Sequence, residues 1–164
     1  MAFPFSHPKP DPDAVPLIPI PRDPSWRICG MPDLGELAGS HKMRQNIVDH
    51  SFIQANDGLW QLWACMRGTS VGRLLYGWEG ESLEETDWRP IGVTARADKR
   101  YGERVSENGV ETIGAPFFYK KDGRYLCFYH SEGIGLMEST DGKAYTRVMN
   151  ESGTTSLKCV GGRD

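Results

Sequence analysis

The residues best suited to chemistry in this chain are acids that open strand-like runs. Asp49 opens one in "NIVDHSF", with His50 directly after it, and Asp164 closes the sequence in "GGRD", beside Arg163. Two carboxylates brought together support acid–base chemistry when their surroundings keep one protonated and the other ionised near neutral pH. His50 adds a group able to contact a ligand or hold a neighbouring carboxylate. Glu107 and Glu111 lie in a polar stretch, and Trp88 and Tyr101 stand near loops, where a ring can stack on a ligand. Each has an ordinary alternative. Asp49 can cap a turn, His50 can be a satisfied wall residue, and the two glutamates can be solvated. Trp60, Trp63 and Trp78 sit within strand patterns, where core packing is the default.

For such acids to meet, the elements carrying them must converge. "HSFIQA", "NDG" and "LWQLWACMRG" read as a β-hairpin, because Asp-Gly supplies the positive φ of a tight turn. "GRLLYGW" follows as a third strand, and "WRPIGV" as a fourth that Pro90 confines to an edge. The pattern then recurs: "APFFYK", "KDG" and "RYLCFYHS" form a second hairpin, followed by "GIGLMEST" and "AYTRV". Superposing Asp57-Gly58 on Asp122-Gly123 gives an offset of 65 residues, which sets Phe52 on Phe117, Trp60 on Tyr125 and Trp63 on Phe128. Recurrence of a four-stranded unit is the signature of propeller blades. The polar stretch "TARADKRYGERVSENGVETI" reads as a long loop between them.

In a propeller, the residue before the innermost strand of a blade points into the axial pocket. That residue is Asp49 in the first unit and Gly114 in the second, and Asp164 takes the place if a third unit starts there. Two blades leave a ring unfinished, since closed propellers need about four to eight. A second polypeptide or a further C-terminal part is therefore expected to complete it. The competing architecture is an unrelated β-sandwich with an extended arm, which would need no internal repeat.

Composition narrows the function classes. The 164 residues carry a formal net charge of −3 and a pI near 5.8, which argues against nucleic-acid and anionic-membrane partners. No apolar run reaches transmembrane length, and the N-terminus lacks the pattern of a signal peptide. The expected location is cytoplasmic unless a leader has been removed. Cys29, Cys65, Cys127 and Cys159 lack metal-ligand spacing, so zinc is not expected, and nothing favours disulfides. Cys65 and Cys127 lie in apolar runs, as buried free thiols do. Nine of the eleven prolines fall in the first 32 residues. Residues 1–45 therefore read as a proline-rich extended arm anchored by Leu17, Ile18, Ile20 and Trp26, and residues 46–164 as two blades and the opening of a third.

The motifs "VDHSFIQANDGLWQLWACMRG", "IGAPFFYKKDGRYLCFYHS", "GLMESTDGKAYTRV" and terminal "GGRD" together resemble the first blades of five-bladed β-propeller glycoside hydrolases. These include family 43 arabinofuranosidases and xylosidases, family 32 fructosidases and family 117 anhydrogalactosidases. The resemblance covers roughly residues 46–164. It implies an all-β fold, the N-terminal part of a five-bladed propeller, and hydrolysis of glycosidic bonds in a plant or algal polysaccharide or oligosaccharide. Asp49 matches the first-blade aspartate, general base in inverting members and nucleophile in retaining ones. Asp164 and Arg163 match an Arg-Asp-Pro motif whose aspartate orients substrate and tunes the acid, while the general acid belongs to a later blade. His50, Arg163, Glu111 and Trp88 are the substrate-binding candidates. No cofactor is expected, although a calcium ion near the axis is compatible with the resemblance. The alternative is a noncatalytic carbohydrate-binding or scaffold propeller. Because proline follows this Arg-Asp in the resembling families, and Asp-Pro bonds are labile, the chain is expected to end by cleavage. A second polypeptide beginning at proline would then be its partner.

Overall fold

The computed structural model describes residues 27–39 and 44–157, so Trp26, Cys159, Arg163, Asp164 and the other proposed arm anchors lie outside the described residues. The fold is all-β; no α-helix occurs among the described residues. Among the described residues, ten strands form two sheets. In the first, β1 (Asn46–Gln54), β2 (Trp60–Thr69), β3 (Gly72–Gly80) and β4 (Arg89–Ala95) run as an antiparallel meander. β5 (Arg104–Val105) and β6 (Glu111–Thr112) extend it beside β3. The second sheet is the meander of β7 (Gly114–Lys121), β8 (Arg124–His130), β9 (Ile134–Ser139) and β10 (Thr146–Arg147). Pro90 lies on β4, which among the described residues pairs with β3 alone and so is an edge strand, where proline's missing N–H is tolerated.

The burial patterns explain why the two sheets read so differently as sequence. β2 and β3 are continuous apolar runs because both of their faces are covered. One face packs Ile53, Trp63, Cys65 and Leu75 against Phe118, Tyr125, Cys127, Tyr129 and Met137 of the second sheet. The other packs Leu62, Ala64, Met66, Leu74, Tyr76 and Trp78 under Leu34, Ile28, Cys29 and Leu37 of the segment before β1. That segment is held at both ends: the Trp88 N–H donates to the Ile28 carbonyl at 2.8 Å, and the Ser70 N–H to the Leu37 carbonyl at 2.9 Å. β7, β8 and β9 alternate instead, because only one of their faces is covered.

The repeat is real, with one correction to its alignment. Gln54 pairs with Trp60 in the first hairpin, and Lys120 with Tyr125 in the second. The second arms therefore superpose as read, Trp60 on Tyr125 and Trp63 on Phe128. The first arms are displaced by one further residue, so Phe52 matches Phe118, not Phe117. The cause is turn length. Asp57-Gly58 sits inside a five-residue connection, Ala55 to Leu59, closed by the Ala55 N–H to Leu59 carbonyl bond at 2.8 Å. Asp122-Gly123 is a two-residue turn with φ of 50° and 75°.

The loop between the sheets is ordered by buried charge, not merely solvated. The Glu103 side chain is 1% exposed and accepts from Arg147 Nε at 2.7 Å and Nη2 at 2.9 Å, from the Asp98 N–H at 2.8 Å, and from the Tyr129 hydroxyl. At the opposite end of the sheets, Lys143 of the second sheet meets Asp57 and, at 2.7 Å, Glu79 of the first.

Candidate functional site

Asp49 lies at a β-bulge. The ladder runs Val48 to Cys65 and then His50 to Ala64, leaving Asp49 unpaired at a φ of 42°. A bulge bends its strand and re-aims one side chain, and aspartate tolerates the left-handed region better than most residues. The carboxylate turns toward Arg67, whose Nη2 stands 3.3 Å from Asp49 Oδ2, with both side chains 44% exposed. Cys65, one rung away on β2, links this point to the second sheet. Its thiol donates to the Ile113 carbonyl at 3.5 Å, and a Cβ on Gly114 would stand 3.1 Å from its sulfur. Glycine at 114 is what lets β7 approach β2 so closely. Burial, followed by the Asp49 charge, raises the Cys65 pKa, while Arg67 and Arg73 oppose the shift. Asp49, Arg67 and the start of β7 thus converge at the end where the two sheets meet.

The structural counterpart of Asp49 is Ala115, not Gly114. Ala115 has a φ of 47° and lies in the bulge between Gly114 and Phe117. The second sheet therefore brings a methyl group where the first brings a carboxylate. Asp164 and Arg163 lie outside the described residues.

His50 is exposed beside Asp49, with its ring edge-on to Phe52 at 5.6 Å. Trp88 departs from the expectation of a stacking surface. It is 3% exposed, lies over Gly80, donates from Nε1 to the Ser82 carbonyl at 3.1 Å and meets Phe52 edge-on at 5.9 Å. Its ring is enclosed, and its polar atom already has a partner. It also precedes β4, at the end of the sheet opposite Asp49.

Glu111 also departs from the solvated reading. It is 6% exposed, and Arg96 Nε stands 3.0 and 3.1 Å from its two oxygens. Its carboxylate raises the Arg96 pKa against the effect of burial. With its N–H bonded to the Val71 carbonyl at 2.7 Å, Glu111 fastens the inter-sheet loop to β3. It borders a polar hollow of about 510 Å³ lined also by Arg96, Asp98, Arg100, Tyr101 and Arg147. The three guanidinium groups there are each paired with a carboxylate, so the hollow has no unmatched positive charge. Arg147 covers the Tyr101 ring at 4.6 Å.

Among the described residues, no three His, Cys, Asp or Glu side chains are grouped to hold a metal ion, and no helix is long and apolar enough to cross a membrane. Cys65 and Cys127 are buried free thiols, and burial pushes the Cys127 pKa to about 12. Arg67 is the site residue that motif reading passes over. Its signal is the hairpin register, since a strand returning from Asp57-Gly58 sets residues 65–67 opposite the start of β1.

No protein-family model matches the sequence, and no curated protein matches it. Solved structures do. The chain is similar to a family 117 glycoside hydrolase from the marine bacterium Zobellia galactanivorans, with a TM-score of 0.53 and 14% identity, over 75% of this chain and 42% of that one. A thermostable family-43 glycoside hydrolase matches with a TM-score of 0.45 and 18% identity, over 68% and 34%. A family-43 β-xylosidase/α-arabinofuranosidase from a compost microbial metagenome matches with 0.47 and 14%, over 72% and 38%. At these identities the likeness is one of fold, and only the first score bears on it. The fold is that of propeller glycoside hydrolases. The chain spans less than half the length of each of these structures.

Proposed function

We propose that the chain is the N-terminal part of a five-bladed β-propeller glycoside hydrolase, with residues 46–164 forming two blades and the opening of a third. Its substrate is a plant or algal polysaccharide or oligosaccharide. The observation that supports this reading best is Asp49 itself. It is an exposed carboxylate beside a guanidinium, re-aimed by a bulge at the start of an innermost strand, in a fold shared with a glycoside hydrolase.

Glycosidic bond cleavage needs two carboxyl groups flanking the bond. In this reading Asp49 is the ionised member. It activates a water in an inverting reaction or attacks the anomeric carbon directly in a retaining one. Separations of about 6.5–9.5 Å and about 5–5.5 Å from the general acid distinguish the two. Arg67, whose Nη2 stands 3.3 Å from Asp49 Oδ2, orients the carboxylate. Asp164, with Arg163, orients the sugar. The general acid comes from a later blade of the ring.

The test is Asp49→Asn in the completed protein, assayed on aryl glycosides and a polysaccharide panel. Turnover is expected to fall by about 10²–10⁴-fold, the usual contribution of one acid–base group. Unchanged turnover in a folded variant removes Asp49 from the mechanism. Carbohydrate binding without turnover in the unsubstituted protein identifies a noncatalytic propeller.

A further inference from the structure

Two arginines stand side by side at the end of the first sheet that carries Asp49. The β2–β3 ladder runs Met66 to Leu74 and then Thr69 to Gly72, so Arg67 and Gly68 together oppose Arg73. Side chains two positions apart on a strand share a face. Arg67 and Arg73 therefore lie on the face of Cys65 and Leu75, a register pair that packs toward the second sheet. The Cys65 thiol reports all three charges around it: Asp49 pushes its pKa up, and Arg67 and Arg73 hold it down.

Two guanidinium groups thus share one carboxylate. Asp49 is matched by Arg67, whose Nη2 reaches it at 3.3 Å. Arg67 Nε is buried and has no hydrogen-bond partner among the described residues. Arg73 is half-buried, and no carboxylate pairs with it among the described residues. The acids of the neighbouring loop are already committed, Glu111 to Arg96 and Glu103 to Arg147. Like charges set opposite each other on adjacent strands destabilise a sheet, and partial burial weakens the screening that water would give. Arg73 is therefore a surplus positive charge one strand away from the Asp49–Arg67 pair.

We infer that Arg73, beside Arg67, is a specificity residue that receives the anionic group of an acidic sugar, a uronic carboxylate or a sulfate ester. This deepens the glycosidase reading of Asp49 and rests on it for the sugar, but on no catalytic step. A guanidinium fork suits such a group, because two parallel N–H···O bonds can be made to its oxygens. Neighbouring strands lie about 4.8 Å apart, so an acidic group held at Arg73 keeps the sugar that carries it near Asp49. A neutral sugar would leave Arg73 facing Arg67 with no counter-charge.

The test is a titration of the full chain with matched probes, followed by NMR at the arginine Nε–H resonances. Trigalacturonate is compared with its methyl ester, and a sulfated galactan trisaccharide with its desulfated form. The anionic member of at least one pair is expected to bind about tenfold or more tighter, the worth of one hydrogen bond between charged groups. The pair with the larger preference tells carboxylate from sulfate. Arg73→Met is expected to abolish the preference and Arg73→Lys to restore part of it. Lys121→Met, at the far end of β7, is expected to keep it. Equal affinity within both pairs, or no binding of any probe, overturns the inference. A preference that survives Arg73→Met, or that Lys121→Met removes equally, overturns the assignment to Arg73. Turnover of neutral sugars that Asp49→Asn abolishes, without an anionic preference, keeps the glycosidase reading and overturns this one. An Arg73-dependent preference without turnover does the reverse.

Discussion

Arg147→Met is the sharpest test of what holds the inter-sheet loop. Glu103 is a buried carboxylate with four hydrogen bonds, and the two from Arg147 are charge-assisted. Removing the arginine strands a charge whose side chain is 1% exposed. Breaking a buried pair in this way costs about 3–5 kcal/mol. Arg147 is itself 18% exposed, so water partly replaces it, and the lower end, about 3 kcal/mol, is expected. For a chain of this size that corresponds to a fall of about 6–12 °C in Tm. The assay is urea unfolding followed by circular dichroism, with thermal melts as a second measure. The double variant Glu103→Leu/Arg147→Met removes the stranded carboxylate as well. It is expected to be less destabilised than Arg147→Met alone. A loss below about 1 kcal/mol for Arg147→Met, in the range of an exposed ion pair, or a double variant worse than the single, refutes the reasoning.

Three further outcomes are expected. Asp57 is held below the usual carboxylate range by its hydrogen bond from Lys143, and Asp141 is drawn down to about 2 by the backbone N–H of Lys143 and by Ser139. Depressed carboxylates contribute stability above their unfolded pKa and lose it as pH falls through the folded value, so Tm should drop from about pH 4 downward; Lys143→Met should remove the share due to Asp57. Gly80→Ala would set a Cβ 2.4 Å from the Trp88 indole, costing about 1–3 kcal/mol as overpacking does and shifting tryptophan emission to the red. Asp49→Asn should change stability by less than about 1 kcal/mol, because its partner Arg67 is half-exposed, so lost turnover in that variant reports chemistry and not unfolding.

The fold was legible where hydrophobic period and turn chemistry agreed. Both Asp-Gly hairpins, the edge position of Pro90 and the repeat itself could be read from the residues. The one-residue slip in the repeat was not, because Asp-Gly serves a five-residue connection in one hairpin and a two-residue turn in the other. Trp88 and Glu111 were misjudged for a shared reason. Both lie in polar stretches that look solvated, and only long-range partners, Gly80 and Phe52 for the tryptophan and Arg96 for the glutamate, bury them. Asp49 was singled out by its place before a strand, whereas the bulge on which it sits depends on the pairing of β1 with β2.

The covering of the first sheet by Ile28, Cys29, Leu34 and Leu37 gives the two-sheet body a direction. One end is finished and the other unfinished. Filaments grow when a sticky surface finds its complement elsewhere on the next molecule, in a contact that never closes. Here the complement is already occupied, so head-to-tail growth has no second surface to use.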